Sequence, residues 1–169
     1  MMMFIYTEIM TIAGLLVAYY TTRLQAPIWP PQGTPHIDPP YFLTFFLLVS
    51  SFTIAMARKK QMEGNAGGFA NLTIVSLAIW IIFGAATIMG WMDLTAQGFV
   101  ISSNAFGTAM YGMGGIHLAH IIFGMCIMLL ALPPAFKGRL SPSYARAMVM
   151  YVHFVNILGI WVLLQIYIW

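Results

Sequence analysis

The stretch AFGTAMYGMGGIHLAHIIFGMCIMLLAL, Ala105–Leu132, decides the fold. It holds no Asp, Glu, Lys or Arg. As a helix rising 1.5 Å per residue it reaches roughly 40 Å, enough to cross ~30 Å of hydrocarbon. Its only imidazoles are His117 and His120, and a second apolar segment, MYVHFVNILGIW (Met150–Trp161), carries His153 and Asn156. Both pairs have i, i+3 spacing, so each pair is expected to line one face of its helix. Ionisable groups at membrane depth are costly and turn toward a protein interior.

Working outward, the same apolar character fills most of the chain. Of 169 residues, 61% are hydrophobic and 7% charged, with a mean hydropathy of +0.87. Soluble domains carry about 25% charged residues. Four further segments are long enough to span: Met3–Tyr20, Tyr41–Ala57, Phe69–Met92 and Ala145–Tyr167. No alternating apolar/polar pattern marks barrel strands. The reading is an all-α integral membrane protein, one domain over residues 1–169, built as a five-transmembrane-helix bundle. The first segment lacks a positive leader and is interrupted by Glu8, so it reads as a retained span rather than a signal peptide. The single Cys126 excludes an internal disulfide.

Breakers separate the spans: APIWPPQGTPHIDPP after the first, RKKQMEGNAGG after the second, PPAFKGRLSPS stopping the fourth, with Ser141 or Ser143 capping the fifth. In a five-span arrangement Arg58, Lys59, Lys60, Lys137, Arg139 and Arg146 share one side, and Arg23 alone takes the other. The positive-inside rule makes the first side cytoplasmic. The N-terminus is then inside and the C-terminus outside, and Trp29, Trp91, Tyr167 and Trp169 form an outer aromatic belt. The net charge of +3 comes from short inter-helix loops and does not point to nucleic acid.

The intramembrane polar residues leave three readings open: a buried network joining helices, a proton or ion path, and a polar cleft for lipid headgroups. Glu8 sits about two turns into the first span, roughly 8 Å deep, with His153 at similar depth and His117 and His120 nearer mid-membrane. Haem b would need two His at matched depth on facing helices, and the fourth- and fifth-span histidines are offset by roughly 5–10 Å. No Cys or second carboxylate completes a zinc or copper set, so no metal ligands are assigned. No nucleophile–base pair or nucleotide loop is present, so no catalytic residue is assigned. Gly112, Gly115 and Gly124 mark the fourth span for close helix packing.

These residues resemble subunit III of the haem–copper oxidases, the cytochrome c and quinol oxidases. The family pattern G-F-H-G-L-H-V-x-x-G is similar to Gly115, Ile116, His117, Leu118, Ala119, His120, Ile121 and Gly124. The pattern Y-W-H-F-V-D is similar to Tyr151, Val152, His153, Phe154, Val155 and Asn156. W-P-P-x-G matches Trp29, Pro30, Pro31 and Gly33, and E-G-F-T-L-S-S-N-x-F-G resembles Gln97 through Gly107. F-I-x-S-E-x-x-x-F-x-G resembles Phe4, Ile5, Thr7, Glu8 and Gly14. The motifs fall in family order across all five spans, as in a five-helix form lacking the first two of seven helices. Asn156 stands in place of the usual Asp, Gly90 in place of a Glu, and Asp93 where His is frequent.

The resemblance implies an accessory, non-redox subunit in a prokaryotic inner (cytoplasmic) membrane. It implies direct packing on subunit I, with subunit II and small subunits in the same complex. Haem and copper are expected in those partners and none in this chain, with phospholipid in an inter-helix cleft. The expected roles are support of subunit I stability, proton uptake, and lipid and oxygen access. The expected buried polar network is Glu8, His117, His120, His153 and Asn156, with Glu8 anchoring it alongside His153. The rival readings are a haem-b electron-transfer protein and a His/Glu-lined transporter.

Overall fold

The computed structural model describes residues 2–168, which form five α-helices and a terminal π-helical turn. The helices are α1 (Met2–Gln25), α2 (Tyr41–Met62), α3 (Ala66–Ala96), α4 (Ala105–Phe136) and α5 (Pro142–Leu163), and α5 continues as the π turn Leu164–Ile168. No strand occurs among the described residues. Among these residues α2, α3, α4 and α5 with its π turn are long and apolar enough to cross a membrane. α1 has matching length, roughly 36 Å at 1.5 Å per residue, and carries more polar residues along it. The helices start at Tyr41 and Ala105, as the sequence predicts.

Chain punctuation explains the ends. Asn65 accepts from Gly68 N–H at 2.7 Å and Asn104 from Gly107 N–H at 2.8 Å, capping α3 and α4. Ser141 holds the cap position of α5 with Pro142 behind it, but its side chain makes no cap bond. The fourth span does not stop at Pro133–Pro134; α4 runs through both to Phe136. Proline loses its own N–H bond and crowds the carbonyl four residues before it, and α4 continues only two residues past Pro134. Termination waits for Gly138, whose φ of +62 lets its N–H reach Ala135 O while Arg139 N–H reaches Pro134 O. Gly64 and Gly98 end α2 and α3 by the same paired bonds.

The spans run up and down, so one end of the bundle gathers Arg58, Lys137 and Arg139 and the other Asp93 and the Pro-rich loop. α2 packs on α3, α3 on α4, α4 on α5, and α5 back on α2, closing a four-helix ring. α1 lies outside that ring against α4. The ring interior holds Leu47, Ile54, Trp80, Ile121, Tyr151 and Val155, all fully buried. A second cluster at the Asp93 end packs Tyr19, Phe106, Met110 and Val162 and fastens the far end of α1. Tyr19 and Tyr20 both donate to Gln165 from there. Trp29 and Trp91 sit at that end half-buried, Trp29 edge-on to Tyr19 and Phe106; Trp169 lies outside the described residues. At the opposite end Lys60 donates to Glu63 at 2.8 Å, holding that carboxyl below its usual range.

Candidate functional site

The intramembrane polar residues divide between two neighbours of the ring. Glu8 on α1 meets His120 on α4, Oε2 to Nε2 at 3.0 Å. His120 Nδ1 lies 2.8 Å from Ile116 O. A carbonyl only accepts, so Nδ1 carries a proton. One further proton then lies between Nε2 and Oε2, on either atom, and in both arrangements the pair is neutral overall. That neutrality is what makes a carboxylate tolerable at this depth. Tyr151 on α5 donates to His120 O at 3.0 Å, so one residue of α4 ties α1 and α5 together.

His117 turns the other way. Its Nε2–H donates to Val155 O on α5 at 3.2 Å, and the ring is 4% exposed, edge-on to Phe83. Positions three apart lie roughly 60° around a helix axis, enough for His117 to serve α5 and His120 to serve α1. The two histidines share one quadrant of α4, as their spacing predicts, but that quadrant borders two different neighbours. The second pair divides likewise: Asn156 is buried against α2, whereas His153 is half-exposed and makes no hydrogen bond among the described residues.

Glu8 is thus anchored by His120 and not by His153. Counting depth from the Asp93 end puts Glu8 roughly 25 Å below Gln25 and His120 roughly 22 Å below Ala105. Counting from the opposite end misplaces them, because α4 overshoots past Pro134. With depth shared, rotation about each helix axis selects the partner.

The inner network contains residues that the sequence reading did not single out. Asn156 Nδ2 donates to Ser50 Oγ at 2.9 Å and to Ser51 Oγ at 2.7 Å. Trp80 Nε1 donates to Ser50 Oγ at 3.0 Å, and Ser50 itself donates to Leu47 O at 2.7 Å. Ser50 therefore uses its one donor and both acceptor lone pairs. Thr53 and Ser76 share a further 2.6 Å bond between α2 and α3. Asn156 Oδ1 is buried without a partner. Reversing the amide would leave two N–H groups stranded instead of one acceptor, so this orientation is the better one. The signal available in the sequence was Ser50-Ser51-Phe52-Thr53, a polar run inside an apolar span.

Glycines set how closely these helices approach. A Cβ on Gly124 would lie 2.2 Å from Trp80 and 3.0 Å from Tyr151, and on Gly159 2.8 Å from the His117 ring. Gly114 likewise admits Trp91 at 2.9 Å. A Cβ on Gly112 or Gly115 would meet no neighbour within 4 Å among the described residues, whereas Gly114 and Gly159 sit at close approaches. A Gly-rich run alone does not tell which of its members faces the neighbour.

Beside the Glu8–His120 pair, Ala119, His120, Phe123 and Tyr151 line an open apolar cleft of about 310 Å³. No group of three or more His, Cys, Asp or Glu able to hold a metal occurs among the described residues. Both nitrogens of His120 and Nε2 of His117 already face protein partners.

Comparison with known proteins gives a consistent result. The family described as cytochrome c oxidase subunit III matches residues 1–169. Cytochrome c oxidase subunit 3 of Pelomedusa subrufa is 30% identical over 181 residues, covering 100% of this chain and 68% of the relative. That of Podospora anserina is 28% identical, covering 99% and 65%. A probable cytochrome c oxidase subunit 3 of Mycobacterium leprae is 28% identical, covering 95% and 82%. The chain thus spans about two thirds of the two eukaryotic relatives and more of the bacterial one.

Proposed function

Because the chain belongs to the cytochrome c oxidase subunit III family, we propose that it is the accessory, non-redox subunit of a terminal haem–copper oxidase in a prokaryotic cytoplasmic membrane. It packs on subunit I, stabilises that subunit and its proton uptake, and holds phospholipid in the cleft beside α1. Its charge bias places the Arg58 end in the cytoplasm and the Asp93 end outside. The haem-carrier and transporter readings find no support among the relatives.

The observation that carries this reading is the Glu8–His120 pair. α1 stands outside the ring, and this pair and the Tyr19/Tyr20 contacts to Gln165 fasten it at two levels. At the level of the pair the cleft is apolar and open, a shape suited to an acyl chain, with His120 on its wall. A structural subunit needs that combination: a dockable helix, a lipid seat and no redox ligand of its own.

The test is Glu8→Ala beside Glu8→Gln in the intact oxidase. Glutamine keeps a hydrogen bond to His120 and alanine does not. Breaking a fully buried pair costs about 3–5 kcal/mol; with Glu8 23% exposed, about 1–2 kcal/mol is expected. Glu8→Ala should loosen this chain from the complex and shorten the turnover lifetime, with Glu8→Gln in between. An alanine enzyme that assembles and lasts like the parent would refute the proposal.

A further inference from the structure

Two cavities at the Asp93 end belong together. The wider, about 380 Å³, opens among the loops between His36, Asp38, Asp93 and Gln97. The narrower, about 60 Å³, lies inside the ring with His117 on its wall. Pro40, Thr87, Trp91 and Tyr167 line both, forming a shared collar. By helix rise His117 is roughly 18 Å below the start of α4. The inner end of the narrow cavity is bounded by the His117 ring and by Gly159, which packs closely on both that ring and Leu47.

We propose that the two cavities form one water-filled well, open at the Asp93 end and closed at His117. Size permits it: a water needs roughly 10–15 Å³ of such space, so the narrow part holds a short file of several molecules. Chemistry decides for water over an empty apolar void. Thr44 and Thr87 each donate to a carbonyl of their own helix, at 3.0 and 2.9 Å, and so offer lone pairs to a guest. His117 spends Nε2–H on Val155 O, which leaves Nδ1 as an acceptor in the neutral ring. Asp38 and Asp93 add acceptors at the mouth. A shaft with acceptors at Thr44, Thr87 and His117 and donors at Trp91 and Tyr167 fits a guest that both donates and accepts, as water does. The well gives His117 a route to bulk solvent separate from the cleft at Glu8, which lies on the other side of α4.

Thiol accessibility in the whole oxidase tests this. Cys126 is the only native cysteine of the chain, so Cys126→Ser supplies a clean background. Thr87→Cys places a thiol at the collar and Val162→Cys one in the narrow part. Ile88→Cys and Ile157→Cys, 45% and 65% exposed, report the outside of the bundle. Hydrated silver ion is the probe, and the residual thiol on this chain is counted by mass. Thiolate formation needs water, so both well positions should react at least about tenfold faster than both controls. Rates equal to the controls would overturn the well. Fast reaction at Thr87→Cys with slow reaction at Val162→Cys would also overturn it, by showing a wet mouth over a dry or lipid-filled shaft. If Val162→Cys fails to assemble, Thr44→Cys on the facing wall gives the same reading.

Discussion

Gly124→Ala is the sharpest perturbation this bundle offers. The added Cβ would sit 2.2 and 2.8 Å from two carbons of the Trp80 ring and 3.0 Å from Tyr151, against ordinary carbon contacts of ~3.5–4.0 Å. More than an ångström must be found by moving something. Trp80 is 0% exposed and its Nε1 is held by Ser50 Oγ, so the ring cannot swing without breaking that bond. Overpacking costs about 1–3 kcal/mol, and losing the indole bond about 1 more. The expected sum, about 3 kcal/mol, is on the order of a hundredfold in equilibrium. The assay is retention of this chain in the purified oxidase across a denaturant or temperature series. Gly112→Ala, whose Cβ enters open space, is the matched control and should stay near the parent. Trp80→Phe withdraws the six-membered ring from Gly124, so the double variant should be less destabilised than the two singles predict together, by about 1–3 kcal/mol. Equal effects of Gly124→Ala and Gly112→Ala, or strict additivity with Trp80→Phe, would refute the reasoning.

Two further outcomes follow from the inner network. Ser50→Ala should cost more than Asn156→Leu, about 1–3 kcal/mol against less than that, measured by the same retention assay. The serine change strands the Trp80 N–H and one Asn156 N–H, while the leucine change removes the Asn156 donors together with an acceptor that had no partner, leaving only hydroxyl lone pairs unfilled on Ser50 and Ser51. Gly159→Ala should displace the His117 ring from Val155 O and cost about 1–3 kcal/mol; His117→Ala in the same chain should recover part of the loss, and no recovery would show the clash lies elsewhere.

The helix count, the starts at Tyr41 and Ala105 and the polar residues Glu8, His117, His120, His153 and Asn156 were legible in the sequence, since hydropathy and turn residues act locally. Their pairing was not. An i, i+3 interval gathers two side chains within one quadrant of a helix, but a quadrant can border two neighbours, as with His117 and His120. Depth counted along one helix fails when helices end at different heights, as α4 does past Pro134. Ser50 and Ser76 gave a weak signal because serine in a membrane helix is usually satisfied by its own turn; only Trp80 and Asn156, brought by other helices, make Ser50 a hub.

The placement of α1 outside the ring has a consequence for biosynthesis. Glu8 and its partner His120 are 112 residues apart in the chain. At ~5–20 residues per second, α1 precedes its partner by roughly 6–20 s. The ring closes later still, when Asn156 arrives for Ser50. During that interval the carboxyl of Glu8 must stay neutral, remain at the surface, or borrow a partner from the insertion machinery or a waiting oxidase subunit. Order of synthesis, and not only final packing, therefore exposes this helix to its neighbours first.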